Sequence, residues 1–319
     1  MWNNARVPLC YVTLVSGKLE IVRMCPSGDQ LLFQCDSLPK AVLTCLLFGT
    51  CYVGSLYVWR TKLPRDDPST IKRRSLSASM MSLLTPIFVL IQAHHAENGK
   101  GFSIWQHLGV RRNGLLQSLC LPLLLTMILF SGPLYMLLVS GTRRSFPFIV
   151  TPKQWWANSR GVATSIRNYI IGPITEEVVF RACMLPLLVP CVGNVKAIFI
   201  CPLFFGVAHV HHVIESLRLG VKKPHAIWLG AIFQFFYTTV FGALSAFIFL
   251  RTGHLVACIL THMFCNFMGF PAFDDIPNHS RFQRVVICSM FFIGLCLFCF
   301  LLSPLTNPEW YANEVYRWS

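Results

Sequence analysis

Long apolar runs alternate with short polar stretches along this chain, and each run is far longer than a core strand or an ordinary buried helix needs. A membrane-crossing helix takes roughly 20 mainly apolar residues. Ala41–Trp59, Leu76–Ala93, Leu115–Val139 and Val285–Leu302 meet that requirement cleanly. Four further segments, Val162–Val189, Val195–Val213, Ala226–Leu250 and Leu255–Phe270, are apolar but carry His, Glu, Arg or Asn, and Pro173, Pro186 and Pro202 interrupt them. Such groups are tolerated at membrane depth where they face protein or a water-filled cavity. The pattern therefore predicts an all-α, polytopic integral membrane protein, with about eight transmembrane helices enclosing a polar chamber. Pro173 is expected to break the fourth segment, so that Glu176 opens a deeper helix.

The integral domain is expected over 40–304, followed by a short C-terminal tail over 305–319. The stretch 1–39 differs: it shows only weak strand-like alternation around Tyr11–Val15 and Leu19–Val22, and is expected to be poorly ordered or loosely attached. It lacks a basic start followed by a compact apolar stretch and a small-residue cleavage site, so targeting is assigned to the first transmembrane helix.

Composition strengthens the membrane reading. Hydrophobic residues make up 54% of the chain, charged residues 13%, and the mean hydropathy is +0.56. Soluble domains carry about 25% charged residues. The net charge of +14 does not point to nucleic acid, because Lys and Arg sit in short clusters between apolar runs and no nucleic-acid module accompanies them. Loops after odd-numbered helices hold Arg60, Lys62, Arg65 and Lys72 to Arg74, then Arg143, Arg144, Lys153 and Arg160, then Arg218, Lys222 and Lys223, then Arg281 and Arg284. The positive-inside rule puts those loops in the cytosol and the N-terminus in the lumen. Of the 14 cysteines most lie inside apolar runs, among them Cys45, Cys51, Cys183, Cys201, Cys288 and Cys296, where Cys acts as a small hydrophobe. Cys296 and Cys299 spell CxxC without a second ligand pair, which reads as packing.

Three polar islands carry the candidate chemistry. In Gly172-Pro-Ile-Thr-Glu-Glu-Val-Val-Phe-Arg181, Glu177 and Arg181 are four apart and share a helix face. Glu176 points elsewhere, so the pair divides into a structural carboxylate and a free one. In Phe204-Phe-Gly-Val-Ala-His-Val-His-His212, His209 follows Phe205 by one turn and His212 shares its face, while His211 turns away. A lone His there is commonly a packing residue, and a neighbouring polar helix favours chemistry instead. In His262-Met-Phe-Cys-Asn266 two neutral donors share a face, suited to an oxyanion or, equally, to interhelical hydrogen bonding. With the fourth, fifth and seventh helices directed as above, all these groups meet in a pocket open toward the cytosol.

Taken together, E-E-x-x-x-R, F-x-x-x-H and H-x-x-x-N, in that order on separate helices, resemble the CAAX protease and bacteriocin-processing family. Tyr52-Val-Gly-Ser-Leu-Tyr-Val-Trp59, Arg251-Thr-Gly-His-Leu255 and Asn266-Phe-Met-Gly-Phe-Pro271 extend the likeness over roughly Cys51 to Pro308. The resemblance implies a glutamate-type intramembrane endopeptidase that removes the aaX tripeptide after the prenylated cysteine of CaaX proteins such as Ras-like small GTPases. It implies residence in the endoplasmic reticulum membrane, no obligate metal and no cofactor. It further implies that Glu176 and His209 activate the attacking water, that His262 and Asn266 hold the oxyanion, and that Glu177, Arg181 and Phe205 support them. The residues alone leave alternatives open. Glu176, His209 and His262 would also suit Zn²⁺ in a metalloprotease, and a scaffold that binds lipidated peptides without cutting them, or a transporter, would also place ionisable residues in a membrane. HExxH, GxSxG and a cysteine beside a plausible histidine base are absent from the sequence.

Overall fold

The computed structural model describes residues 10–15, 18–23, 31–60, 63–95, 101–139, 159–219 and 223–318. Helices α1 (Leu38–Ser55) and α2 (Pro68–Ile91) begin alike: Ser37 accepts from the Lys40 N–H, Asp67 accepts from the Ser69 N–H, and a proline occupies the first turn, where no N–H is needed. After the single turn α3 (Ile104–His107), α4 (Leu115–Leu129) and α5 (Ser131–Val139) form a pair bent by 70°. The next stretch is irregular: α6 (Ser159–Ile166), a π turn at Arg167–Ile171, α7 (Gly172–Glu177) and a second π turn at Val178–Cys183. Pro173 does not break the segment as expected. The π turn ahead of it, in which the Gly172 N–H reaches back to the Arg167 carbonyl, absorbs the proline and keeps the chain helical.

Helix α8 (Leu185–Ala208) is kinked at Gly193, whose φ of +76° favours glycine, and leads to α9 (His211–Leu219). The long α10 (Pro224–Thr252), α11 (Leu255–Met268) and α12 (Arg281–Leu305) complete the bundle. Among the described residues five helices are long and apolar enough to cross a membrane, or six if α4 and α5 form one span. The chain is thus an all-α polytopic membrane protein, and among the described residues the expected count of eight spans is not confirmed. Val162–Val189 is divided by π turns, Val195–Val213 merges with what precedes it, and α11 is 14 residues long.

The core centres on α8 against α10. Small residues let these backbones close up: a Cβ on Gly206 would lie 2.5 Å from Thr239 Oγ1, and one on Gly242 would lie 2.9 Å from Pro202 Cβ. Separate sets of contacts close the two ends of the bundle. At one end a disulfide joins Cys35, just before α1, to Cys191 in α8, 156 positions apart. There the C-terminal tail also docks, with Asn194 Nδ2 donating to the Arg317 carbonyl (2.7 Å) and Tyr311 and Tyr316 buried. At the other end lie the ion pairs Arg74–Glu215 (3.0 Å) and Arg167–Asp66 (2.8 Å). The reading of cysteines as small hydrophobes holds for buried Cys45, Cys183 and Cys201, but it passed over this disulfide.

Within 1–39 the weak alternation corresponds to an antiparallel pair, β1 (Cys10–Val15) with β2 (Lys18–Arg23). A second pair joins β3 (Leu31–Leu32) to β4 (His94–His95). The remainder of 1–30 lies outside the described residues, as do Lys62, Arg143, Arg144, Lys153 and Lys222 among the basic loop positions.

Candidate active site

The three polar islands converge on one cavity of about 280 Å³, which opens at the end opposite the disulfide. Its walls include Glu176 from α7, His209, His211 and His212 from around the α8–α9 junction, and His262 and Asn266 from α11. His211 lines the cavity too, against the expectation that it turns away, because the α8 axis ends at His209 and the chain resumes as α9 in a new direction.

The two adjacent glutamates have different surroundings. Glu177 is fully buried and engaged on both oxygens: Oε1 accepts from His262 Nδ1 (2.7 Å) and pairs with Arg181 Nη1 (3.1 Å), while Oε2 accepts from Ser245 Oγ (2.7 Å). The i, i+4 pairing of Glu177 with Arg181 is as expected. The Arg181 guanidinium in turn lies 4.4 Å from the Phe205 ring centroid and 5.7 Å from that of Phe241, a cation–π arrangement inside the bundle. Glu176 keeps 25% of its side-chain surface and faces the cavity. Its Oε2 lies 3.7 Å from His262 Nε2, longer than a hydrogen bond.

Hydrogen-bond partners fix the proton on two histidines. His209 Nδ1 donates to the Phe205 carbonyl (2.8 Å), so a neutral His209 presents an unprotonated Nε2. His262 Nδ1 donates to Glu177, so this ring gives a second hydrogen bond, from Nε2, only as the imidazolium. Asn266 uses one amide hydrogen on the Asn168 carbonyl (2.9 Å) and retains a second. Phe205 packs edge-on against His209, with centroids 4.6 Å apart, and also meets His262 at 6.1 Å. Behind Glu176, Thr175 Oγ1 donates to the Ile171 carbonyl, which leaves Tyr52 as the donor to Thr175 (2.9 Å) and ties α1 to the π-turn segment.

Sequence reasoning missed Ser245, Tyr52 and Asn168, and it used Arg65, Arg74 and Arg167 at most as topology signals. Ser245 is a small polar residue in an apolar helix, a weak signal whose partner stands 68 positions away. Among the described residues no group of three His, Cys, Asp or Glu side chains is arranged to hold a metal ion, and the trio Glu176, His209 and His262 is no exception.

A multi-pass helical membrane protein with a carboxylate–histidine centre buried in its bundle is a narrow class. The family described as type II CAAX prenyl endopeptidase, Rce1-like, matches residues 158–268, which contain every residue of the three islands. The chain is 46% identical to the human protein named CAAX prenyl protease 2 over 86% of this chain and 83% of that one. It is 41% identical to the rat protein of that name, over 86% and 82%, and 32% identical to the Arabidopsis thaliana one, over 87% and 93%. The chain therefore belongs to the CAAX prenyl protease 2 family. No solved structure matches it significantly.

Proposed function

We propose that the chain is a CaaX prenyl endopeptidase that uses Glu176 as the general base on the attacking water and releases aaX from prenylated proteins such as Ras-like small GTPases. The observation that carries this reading is the unequal treatment of the two glutamates: Glu177 is saturated with partners, whereas Glu176 stands at the cavity wall with its oxygens available. His209, with Nε2 unprotonated, accepts from the same water and orients it. The spare Asn266 hydrogen and His262 Nε2–H donate to the tetrahedral oxyanion.

Charge balance supports the division of roles. With His262 protonated, Arg181 and His262 offset Glu177 and Glu176. When Glu176 takes the proton from water the site is left with one uncompensated positive charge, and the oxyanion supplies the matching negative one. A low-dielectric bundle makes such matching worth more than it would be in water. Glu177 thus positions His262 and does not touch the substrate.

The active site opens to the cytosol in this reading, and the protein resides in the endoplasmic reticulum membrane. The disulfide at the opposite end supports the orientation independently of loop charge, because disulfides persist in the lumen and not in the cytosol. The test of the function is turnover of a farnesylated CaaX peptide by purified protein in lipid, beside the same peptide without its prenyl group. Burial of the prenyl chain contributes roughly 25 cal/mol per Å², so the bare peptide should be a very poor substrate. Equal kcat/KM for the two peptides would contradict the reading.

A further inference from the structure

The mouth of the cavity carries more positive charge than its own carboxylates use. Arg65, from the loop between α1 and α2, Arg74 in α2 and Arg167 in the first π turn all line it. Arg74 is taken up by Glu215, and Arg167 by Asp66 together with the Asn168 side chain. Arg65 has no carboxylate partner within ion-pair distance among the described residues, and it is exposed. Among the described residues its side-chain hydrogen bond goes to a neutral acceptor, His212 Nδ1, at 3.3 Å. An arginine kept among like charges at the rim of a cavity is costly unless an anion arrives there. His212 Nδ1 also lies 3.9 Å from Glu215 Oε2, and with Nδ1 accepting from Arg65 a neutral His212 carries its proton on Nε2.

Resting on the function proposed above, the substrate brings one anion at a defined place, the free α-carboxylate that ends the aaX tripeptide. We propose that Arg65, with His212 beside it, is the subsite for that carboxylate, so that the enzyme measures the end of the chain as well as its lipid. An extended tripeptide spans at most about 10 Å, so a charged anchor at the rim with Glu176 deeper in the same cavity would fix which bond meets the base. Arg167 and Arg74 keep their own carboxylates and hold the rim in shape. The subsite discriminates against C-terminal amides and against peptides extended past the third residue.

The experiment compares farnesylated CaaX peptides with a free C-terminal acid and with a C-terminal amide, on wild-type, Arg65→Gln and Arg65→Lys protein in lipid nanodiscs. Charged hydrogen bonds of this kind are worth roughly 10- to 100-fold in affinity. The wild type should prefer the acid in kcat/KM by about that factor. Arg65→Gln should bring the acid-to-amide ratio toward one, through KM, and Arg65→Lys should keep part of the preference. General damage to the fold lowers both peptides together and leaves the ratio intact, so an undiminished ratio in Arg65→Gln overturns the proposal, as does a wild type indifferent to the amide. Binding of both peptides to Glu176→Gln protein, read by fluorescence anisotropy, decides the point without turnover: an acid preference that the further change Arg65→Gln removes supports the subsite, and equal binding overturns it. Absence of turnover by folded wild type, with the binding preference intact, would sink the protease reading alone.

Discussion

Segment Ser159–Cys183 and helix α12 are both about one membrane thickness long, and they solve opposite problems. α12 is an uninterrupted α-helix in which only Ile287 and Gly294 are buried, and large side chains such as Phe282, Phe292 and Phe300 point outward. Its requirements are met by lipid, so its geometry is regular. The 159–183 segment carries two glutamates and two arginines beyond its first turn, Arg167 and Arg181, and every one of its residues from Val179 to Cys183 is buried. It departs from α geometry twice, in the π turns that bracket α7. A π turn inserts one residue and rotates the succeeding helix by about 100°, which changes the face on which a side chain emerges. Within 159–183 the irregular backbone re-aims polar side chains, whereas α12 has none to aim into the cavity and stays regular. Helix α11 shows that a regular helix also serves where polar residues four apart, His262 and Asn266, already share a face.

The largest effect expected from this contrast is at Glu176. Glu176→Gln keeps the shape and removes the proposed base, so kcat should fall by roughly 10²–10⁴-fold. The melting temperature should stay close to wild type, since Glu176 lies beyond hydrogen-bond distance of its nearest histidine. Glu177→Gln is the counterpart. It strands Arg181 and weakens the hold on His262, and breaking a buried pair costs about 3–5 kcal/mol. Its melting temperature should drop and turnover should fall with it. Thermal unfolding beside single-turnover kinetics separates the two: a Glu177→Gln protein that is inactive yet as stable as wild type would reverse the roles.

Next in size is Asn266→Ala. Removal of one oxyanion donor typically costs about 10²–10³ in kcat, with little change in KM. Asn266 is the exposed member of the site and its partner is a backbone carbonyl, so stability should change little. A rise in KM alone would make Asn266 a peptide-binding residue.

How far the site was legible in the sequence depends on where each partner lies. Glu177 and Arg181 share one helical segment, so spacing alone paired them. The same spacing rule put His262 and Asn266 on one face, and both line the cavity. Spacing is silent across helices. It gave no hint that His262 would lock onto Glu177, which changes His262 from a neutral donor into one that must be protonated to serve an oxyanion. Ser245 and the Cys35–Cys191 disulfide were illegible for the same reason: helix packing makes those contacts, and no local period encodes it. Apolar runs located the helices well, because lipid imposes one requirement on every exposed residue. The total of eight spans is not confirmed among the described residues, because π turns divide the polar-bearing run Val162–Val189 and α11 is short.

The smallest effects test the quiet side of the comparison, within α12 itself. Phe300 is 76% exposed on the outer face, so Phe300→Leu exchanges one apolar surface for another and should shift stability by less than about 0.5 kcal/mol. On the inward face of the same helix, a Cβ on Gly294 would stand 2.2 Å from Ser131 Oγ and 2.5 Å from the Ile128 backbone carbonyl. The serine could rotate away, although its Oγ now donates to the Met290 carbonyl (2.8 Å), but the carbonyl belongs to the end of α4 and can yield only if the helix moves. Gly294→Val should therefore push α12 off the α4–α5 bend and cost roughly 1–3 kcal/mol. It should do so without touching kcat per folded molecule, because α12 supplies no cavity residue. Thermal unfolding in nanodiscs reads both variants. Equal losses from Phe300→Leu and Gly294→Val would mean that the outer face of α12 is covered by something more exacting than lipid.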